Sequence, residues 1–273
     1  MMPVVIGMIV AIAAPLATGA QVAGDPPAGA DSRYTDALTD LLRHWKAKAG
    51  ADSASVESSH AEPIELDCIG TPHDEDYVGI VRRTTIRASL RTVEAVLDDV
   101  AHFKELFPRT VEVRVVAGSS QGSEFTTAWE QRVPLFLVPN IRYELSHTVD
   151  KSTPGIGVYR YRLRSSNTLI ASDGLAILEA RGPETTRFSE YNFFKARPSP
   201  VPASVIWRES LRSAVLSNFA IKLKAENPGW SYERIASEAA QLLALRHEMV
   251  ERCVAERKAT PFVDDSDGAA ARR

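Results

Sequence analysis

Between Val111 and Phe194, segment after segment carries apolar side chains at every second residue. Val111, Val113, Val115 and Ala117 alternate with Glu112 and Arg114. Phe125, Thr127, Trp129, Gln131 and Val133 share one face, opposite Glu124, Glu130 and Arg132. Ile141, Tyr143, Leu145, His147 and Val149 oppose Arg142 and Glu144, and Tyr159, Tyr161 and Leu163 oppose Arg160, Arg162 and Arg164. A period of two is the strand period, and one polar face predicts an antiparallel sheet covered on one side only. Leu169 to Ala180 and Thr185 to Phe194 continue the series, with Asp173-Gly174 read as a bulge or bend. Turns at Gly118, Gly122, Gly155 and Gly182 make the order a meander of hairpins.

Such a sheet needs a cover, and the sequence supplies one. A Pro-rich spacer, residues 197–202, leads into a predicted helix from Ser204 to Glu226. Trp207, Leu211, Val215 and Phe219 recur four residues apart, on one helix face, so that face rests on something apolar. A curved sheet gripping one long helix leaves a cavity between them. Upstream, Tyr77 to Ala88 is the first strand of this unit, with Val78, Ile80, Thr84 and Ile86 on one face. Ser89 caps a helix carrying Val93, Val96, Leu97 and Val100. His102 to Phe107 is a second short helix, ended by Pro108.

The flanks are of another kind. The first 24 of the 273 residues carry no charge, and Thr18-Gly19-Ala20 ends an apolar run with small residues. Residues 1–20 read as a secretory signal peptide cut after Ala20, or as an anchor that stays in the membrane; Met1-Met2-Pro3 lacks the usual basic residue. Export to the periplasm or medium is the expectation. Residues 21–76 hold a spacer, an amphipathic helix over 31–49 with Tyr34, Leu38, Leu41, Leu42 and Trp45, a Ser-rich linker, and the run His73-Asp74-Glu75-Asp76. That run has no ordered ligand spacing and reads as a solvated loop, so no metal is expected. Asn227-Pro228-Gly229 stops the long helix. Ser231 then caps another, over the segment 227–260, with Ile235, Ala239, Leu242, Leu245, Met249 and Cys253 as its apolar stripe. The tail from Pro261 has a disordered composition. The two cysteines, Cys68 and Cys253, are either one bridge of an oxidising compartment or two small buried side chains. A net charge of −3 offers no basic footprint, which argues against a nucleic-acid partner. Oligomeric state is left open.

The order strand, two short helices, six strands and a long helix resembles the START-like, polyketide-cyclase-type helix-grip superfamily, over residues 77–226. The resemblance is carried by Leu90 to Val100, by Phe103 to Val116 with its aromatic–Pro pair before a Val-rich strand, and by Arg197 to Trp207. It implies an α+β helix-grip fold, a curved antiparallel sheet wrapped around the long C-terminal helix, with extra helices at both ends. It also implies binding of a lipid or other apolar molecule, without a cofactor.

The candidate cavity wall is Ile86, Trp129, Gln131, Tyr143, His147, Tyr159, Tyr161, Phe188, Trp207, Leu211, Val215 and Phe219. Apolar walls with a few polar groups are what small-molecule pockets use. Gln131, His147 and Tyr161 are the polar members; the plainer reading is that the whole set fills a core. The rival functions are a cyclase-type enzyme drawing on His147, Tyr161 and Arg82, and an interaction module built on the flanking helices. The string Gly118-Ser119-Ser120-Gln121-Gly122 fits a hydrolase pattern that needs a strand-to-helix elbow, but a strand follows, so it reads as a hairpin turn. The arginines at 160, 162 and 164 form a basic stripe, either paired across strands with glutamates such as Glu144 or touching lipid headgroups transiently.

Overall fold

The alternating segments pair into one antiparallel sheet. A computed structural model describes residues 64–69, 77–133, 140–198 and 202–255. The strands are β1 (Glu65–Ile69), β2 (Tyr77–Ile86), β3 (Thr110–Gly118), β4 (Glu124–Gln131), β5 (Ile141–Asp150), β6 (Ile156–Ser166), β7 (Leu169–Gly182) and β8 (Thr185–Ala196). Their spatial order is β1-β2-β8-β7-β6-β5-β4-β3. β3 to β8 is the expected meander. The chain crosses from β2, beside β8, to β3 at the far edge through α1 (Leu90–Asp98), a 3-10 turn (Val100–His102) and α2 (Phe103–Leu106). Ser89 caps α1, its hydroxyl accepting from the Thr92 amide at 3.3 Å.

Five helices accompany the sheet among the described residues: α1, α2, the long α3 (Ala203–Glu226), α4 (Tyr232–Leu245) and α5 (His247–Ala255). α3 runs beside β2 in the same direction. Lys222 donates to the Thr85 carbonyl at 2.6 Å, and the Glu226 carboxylate accepts from the Arg87 amide at 2.8 Å. Leu211, Val215 and Phe219 of α3 are fully buried in the main core with Phe125, Trp129, Leu145 and Phe194.

Four expectations need correction. The sheet is larger than the unit starting at Tyr77, because β1 pairs with β2 in register Cys68–Ile80. It is not one-sided throughout. Val81, Ile156, Val158, Leu175, Ile177, Tyr191 and Phe193 form a second buried cluster on the other face, so β2, β8 and β7 are buried on both sides. The reason is visible in β7, where Ala171 to Leu178 is buried at every position and Leu175 to Leu178 is a continuous apolar run rather than an alternation. The C-terminal helix is two helices, broken at Arg246, whose amide turns back to the Leu243 carbonyl. The break rephases the stripe and leaves Leu245 79% exposed, while Ile235, Ala239, Val250 and Cys253 are buried against the grip. Finally, Gly174 is not a bulge: it pairs in regular register with Tyr161 and Asn192.

Along β3, register shifts against β4 flank the centre, and Val111 and Val115 are exposed while Val113 packs inward. Gly118 to Gly122 is a hairpin turn: Gly118 takes φ +74°, and the Gly122 amide donates to the Ser119 carbonyl at 2.8 Å. α5 packs on β1. Cys253 of α5 is disulfide-bonded, and the sequence holds one other cysteine, Cys68 on β1. The leader, the helix at 31–49 and its linker, the run His73 to Asp76, residues 199–201 of the Pro-rich spacer, and the tail lie outside the described residues. No described helix is long and apolar enough to cross a membrane.

Candidate functional site

Strand parity decides which side chains face α3. Ile80, Arg82, Thr84 and Ile86 of β2 pair with Asn192, Glu190, Phe188 and Thr186 of β8. Across β7 and β6 the same face carries Gly174, Ala176 and Leu178, then Tyr159, Tyr161 and Leu163. Across β5 and β4 it carries Tyr143, Leu145, His147 and Val149, then Phe125, Thr127, Trp129 and Gln131. All the strand residues expected to line a cavity therefore share the concave face.

They do not form one wall. Ile86 and Phe188 are 0% and 1% exposed in a separate cluster with Val93 of α1 and Ile221 and Ala225 of α3, which is packed core. Tyr159 belongs to that end, and its hydroxyl donates to Asp98 of α1 at 3.1 Å. Asp98 also holds Lys151 at 2.7 Å, so Tyr159 ties α1 to the sheet. Trp207 is buried beside Phe194, with ring centroids 6.3 Å apart. Gln131 sits half-buried at the end of β4.

Over β5 and β6 the packing is looser. Tyr143, His147, Val149, Tyr161 and Leu163 keep accessible surface although they face the protein interior. Burial nevertheless pushes the Tyr143 and Tyr161 hydroxyls above the ordinary tyrosine range and holds the His147 imidazole down at about 4. These desolvated, only partly covered side chains form one group on the concave face. Its aromatic members are stacked: Phe125 on His147 at 4.5 Å, and Trp129 on Tyr143 at 5.8 Å, with Phe107 edge-on to Trp129. The Trp129 indole donates to the Thr127 hydroxyl at 2.7 Å, and that hydroxyl lies 2.7 Å from His147 Nε2. The Thr127 hydroxyl thus joins the indole and the imidazole in one hydrogen-bonded chain.

A polar cluster adjoins this aromatic group. The Arg82 guanidinium, 3% exposed, is ion-paired with Glu190. The Tyr161 hydroxyl donates to Glu190 at 3.4 Å and accepts from the Asn192 amide nitrogen at 2.5 Å. Asn218 is on α3, one turn before Lys222. With 1.5 Å per helical residue against 3.4 Å per strand residue, it stands level with Arg82 to Thr84. Arg82 Nε, Asn192 Oδ1 and both amide atoms of Asn218 are buried with no hydrogen-bond partner. Each such atom costs about 1–3 kcal/mol.

Glu190, Asn192 and Asn218 escaped the reading of the sequence. Glu190 and Asn192 occupy inward slots between Phe188 and Phe194, a period-two polar interruption that was there to be seen. Asn218 is seven residues after Leu211, on the same stripe, and a strict spacing of four passes over it.

Two clefts lie elsewhere. One, of about 560 Å³, is lined by Arg91, Glu94, Asp98 and Asp99 of and beside α1 and by Ser120 and Gln121 of the β3–β4 turn. A smaller one lies between α1 and Tyr232. Neither contains a residue expected from the sequence to bind ligand. The basic stripe is on the outer face, where Arg162 pairs with Asp173 at 2.9 Å and Arg164 reaches the Thr126 hydroxyl at 3.3 Å.

No family model matches the chain, and no curated protein matches it in sequence. Solved structures do match. Human StAR-related lipid transfer protein 5 is 10% identical, with 73% of this chain and 97% of that one covered and a TM-score of 0.51. A STAR-related lipid transfer protein from Xanthomonas axonopodis is 15% identical (70% and 100% covered, TM-score 0.46). The Zhui aromatase/cyclase from Streptomyces sp. R1128 is 18% identical (61% and 96% covered, TM-score 0.43). At these identities the likeness establishes the fold: the chain has the START-like, α+β helix-grip architecture.

Proposed function

We propose that this protein binds an amphipathic small molecule, its apolar body over the aromatic residues of β4 to β6 and its polar end at the cluster around Arg82. One observation carries the reading. Aromatic side chains with uncovered surface on the concave face adjoin four buried polar atoms that have unmet hydrogen-bonding capacity, two on that face and two on α3. Buried polar atoms are nearly always paired in a native core, so four brought together beside aromatic surface point to a ligand. That the solved structure at TM-score 0.51 is named for lipid transfer accords with it. A disulfide-bonded Cys253 suits work in an oxidising compartment.

The second reading is a cyclase-type enzyme, because His147, Tyr161 and Arg82 do share the concave face. Their states favour binding. The His147 ring is neutral and weakly basic, with Nε2 engaged by Thr127, and the charge of Arg82 is matched by Glu190. The interaction-module reading loses part of its motive, since α4 and α5 dock on the grip itself.

Native mass spectrometry of the non-reduced protein, with lipid extraction of any adduct and a titration of the intrinsic tryptophan fluorescence with dodecanol, tests the proposal. A discrete apolar adduct or saturable quenching at micromolar concentration is the expected result. A bare protein that takes up no amphiphile overturns it.

A further inference from the structure

We infer that the polar end of the ligand is neutral and both donates and accepts hydrogen bonds, as a hydroxyl or primary amide does, and is neither an acid nor an amine. The inference rests on the binding reading above and adds the chemistry of the headgroup.

It starts from a charge inventory. Among the described residues, the charged side chains on the concave strand face are Arg82 and Glu190, and they are paired with each other. On α3, Lys222 at the same end of the grip is paired with Glu226. His147 is neutral. The site therefore has no net charge to match against a charged headgroup. A carboxylate or phosphate entering it is stripped of water, meets an Arg82 already neutralised, and lies beside Glu190.

The orphaned atoms say the same in hydrogen bonds. Tyr161 gives its proton to Glu190, so the Asn192 atom that faces the Tyr161 oxygen must be the NH2 group. That leaves Asn192 Oδ1 as an acceptor. Arg82 Nε is a donor, and the Asn218 amide offers one of each. Donors and acceptors are thus balanced. A carboxylate only accepts and leaves both amide oxygens unmet. An ammonium only donates and leaves Arg82 Nε and Asn218 Nδ2 unmet. A hydroxyl or a primary amide can serve both kinds. Tyr161 and Asn192 keep some accessible surface, so these buried atoms sit next to the partly covered aromatic group rather than at the centre of the core.

The test uses the full, non-reduced protein and three probes with one chain length: dodecanol, dodecanoate and dodecylammonium, titrated at pH 7.5 below their aggregation limits. Dodecanol binding at least tenfold tighter than both ions supports the inference. Equal affinities, or tighter binding of either ion, overturn it while leaving the carriage reading standing. Binding of none of the three overturns both. The Glu190→Gln variant probes the cause: with Arg82 no longer matched, dodecanoate should tighten at least tenfold relative to dodecanol. An unchanged ratio removes Glu190 from the discrimination. If that variant does not fold, the wild-type ratio still decides.

Discussion

The phenol ring of Tyr161 lies on the α-carbon of Gly174, in the space that a β-carbon at that position would fill. The two residues are directly opposed across β6 and β7. Glycine in the middle of a strand weakens it, and here the compensation is a close approach that lets the Tyr161 hydroxyl reach both Glu190 and Asn192.

Gly174→Ala should therefore displace Tyr161 and lower stability by about 2–3 kcal/mol in urea unfolding. A double-mutant cycle gives the sharper reading. Tyr161→Leu in the Gly174→Ala background should cost clearly less than Tyr161→Leu alone, because the clash has already broken the contact. Additive effects would mean the ring and the glycine are not coupled.

Asn218 carries two buried atoms without partners on the helix that the sheet grips. Asn218→Leu keeps the volume and removes the unmet polar atoms, so the ligand-free protein should gain about 1 kcal/mol. Affinity for dodecanol should fall about tenfold in the same variant. Stability and binding moving in opposite directions is the signature of a polar group kept for a ligand. A loss of both would make Asn218 a structural residue.

Because the folded-state pKa of His147 is depressed to about 4, against roughly 6.5 in an unfolded chain, protons bind the unfolded state first as pH falls. The contribution of the neutral ring is intact above about pH 6.5 and is lost progressively towards pH 4. The titratable group beside it, Tyr161, stays protonated throughout this range. The urea midpoint of the wild type should fall more steeply over this window than that of His147→Phe, which keeps the stack on Phe125. Parallel curves would show that His147 is not desolvated.

Cys253 anchors the last described helix beside the first described strand. A bridge to Cys68 closes a loop around almost the whole grip, for which chain entropy allows up to about 4–5 kcal/mol. Unfolded, non-reduced protein should titrate no free thiols, and the reduced protein should show two. Reductant or Cys253→Ser should lower the urea midpoint markedly. If reduction has no effect on stability, the bridge constrains nothing.

Much of this architecture was legible, because period two and period four are local signals. The faces of β4, β5 and β6, the Ser89 cap and the buried stripe of α3 all follow from spacing within one element. What escaped depends on partners distant in sequence. Gly174 looks like a defect until Tyr161 is placed opposite it. Glu190 looks like a solvated charge until Arg82, on a strand more than a hundred residues earlier, arrives beside it. The break at Arg246 has no Gly or Pro to announce it. The strand residues named as a cavity wall do share one face, but which of them are packed core and which are partly covered depends on how closely α1 and α3 approach each end of the sheet.

The double-sided burial of β2, β8 and β7 makes the grip mechanically uneven. Three central strands are clamped from both sides, whereas β3 at one margin is exposed along most of its length. Amide protons on β7 and β8 should be the last to exchange with deuterium and those on β3 among the first. The grip thus has a rigid jaw at β2 and a compliant one at β3.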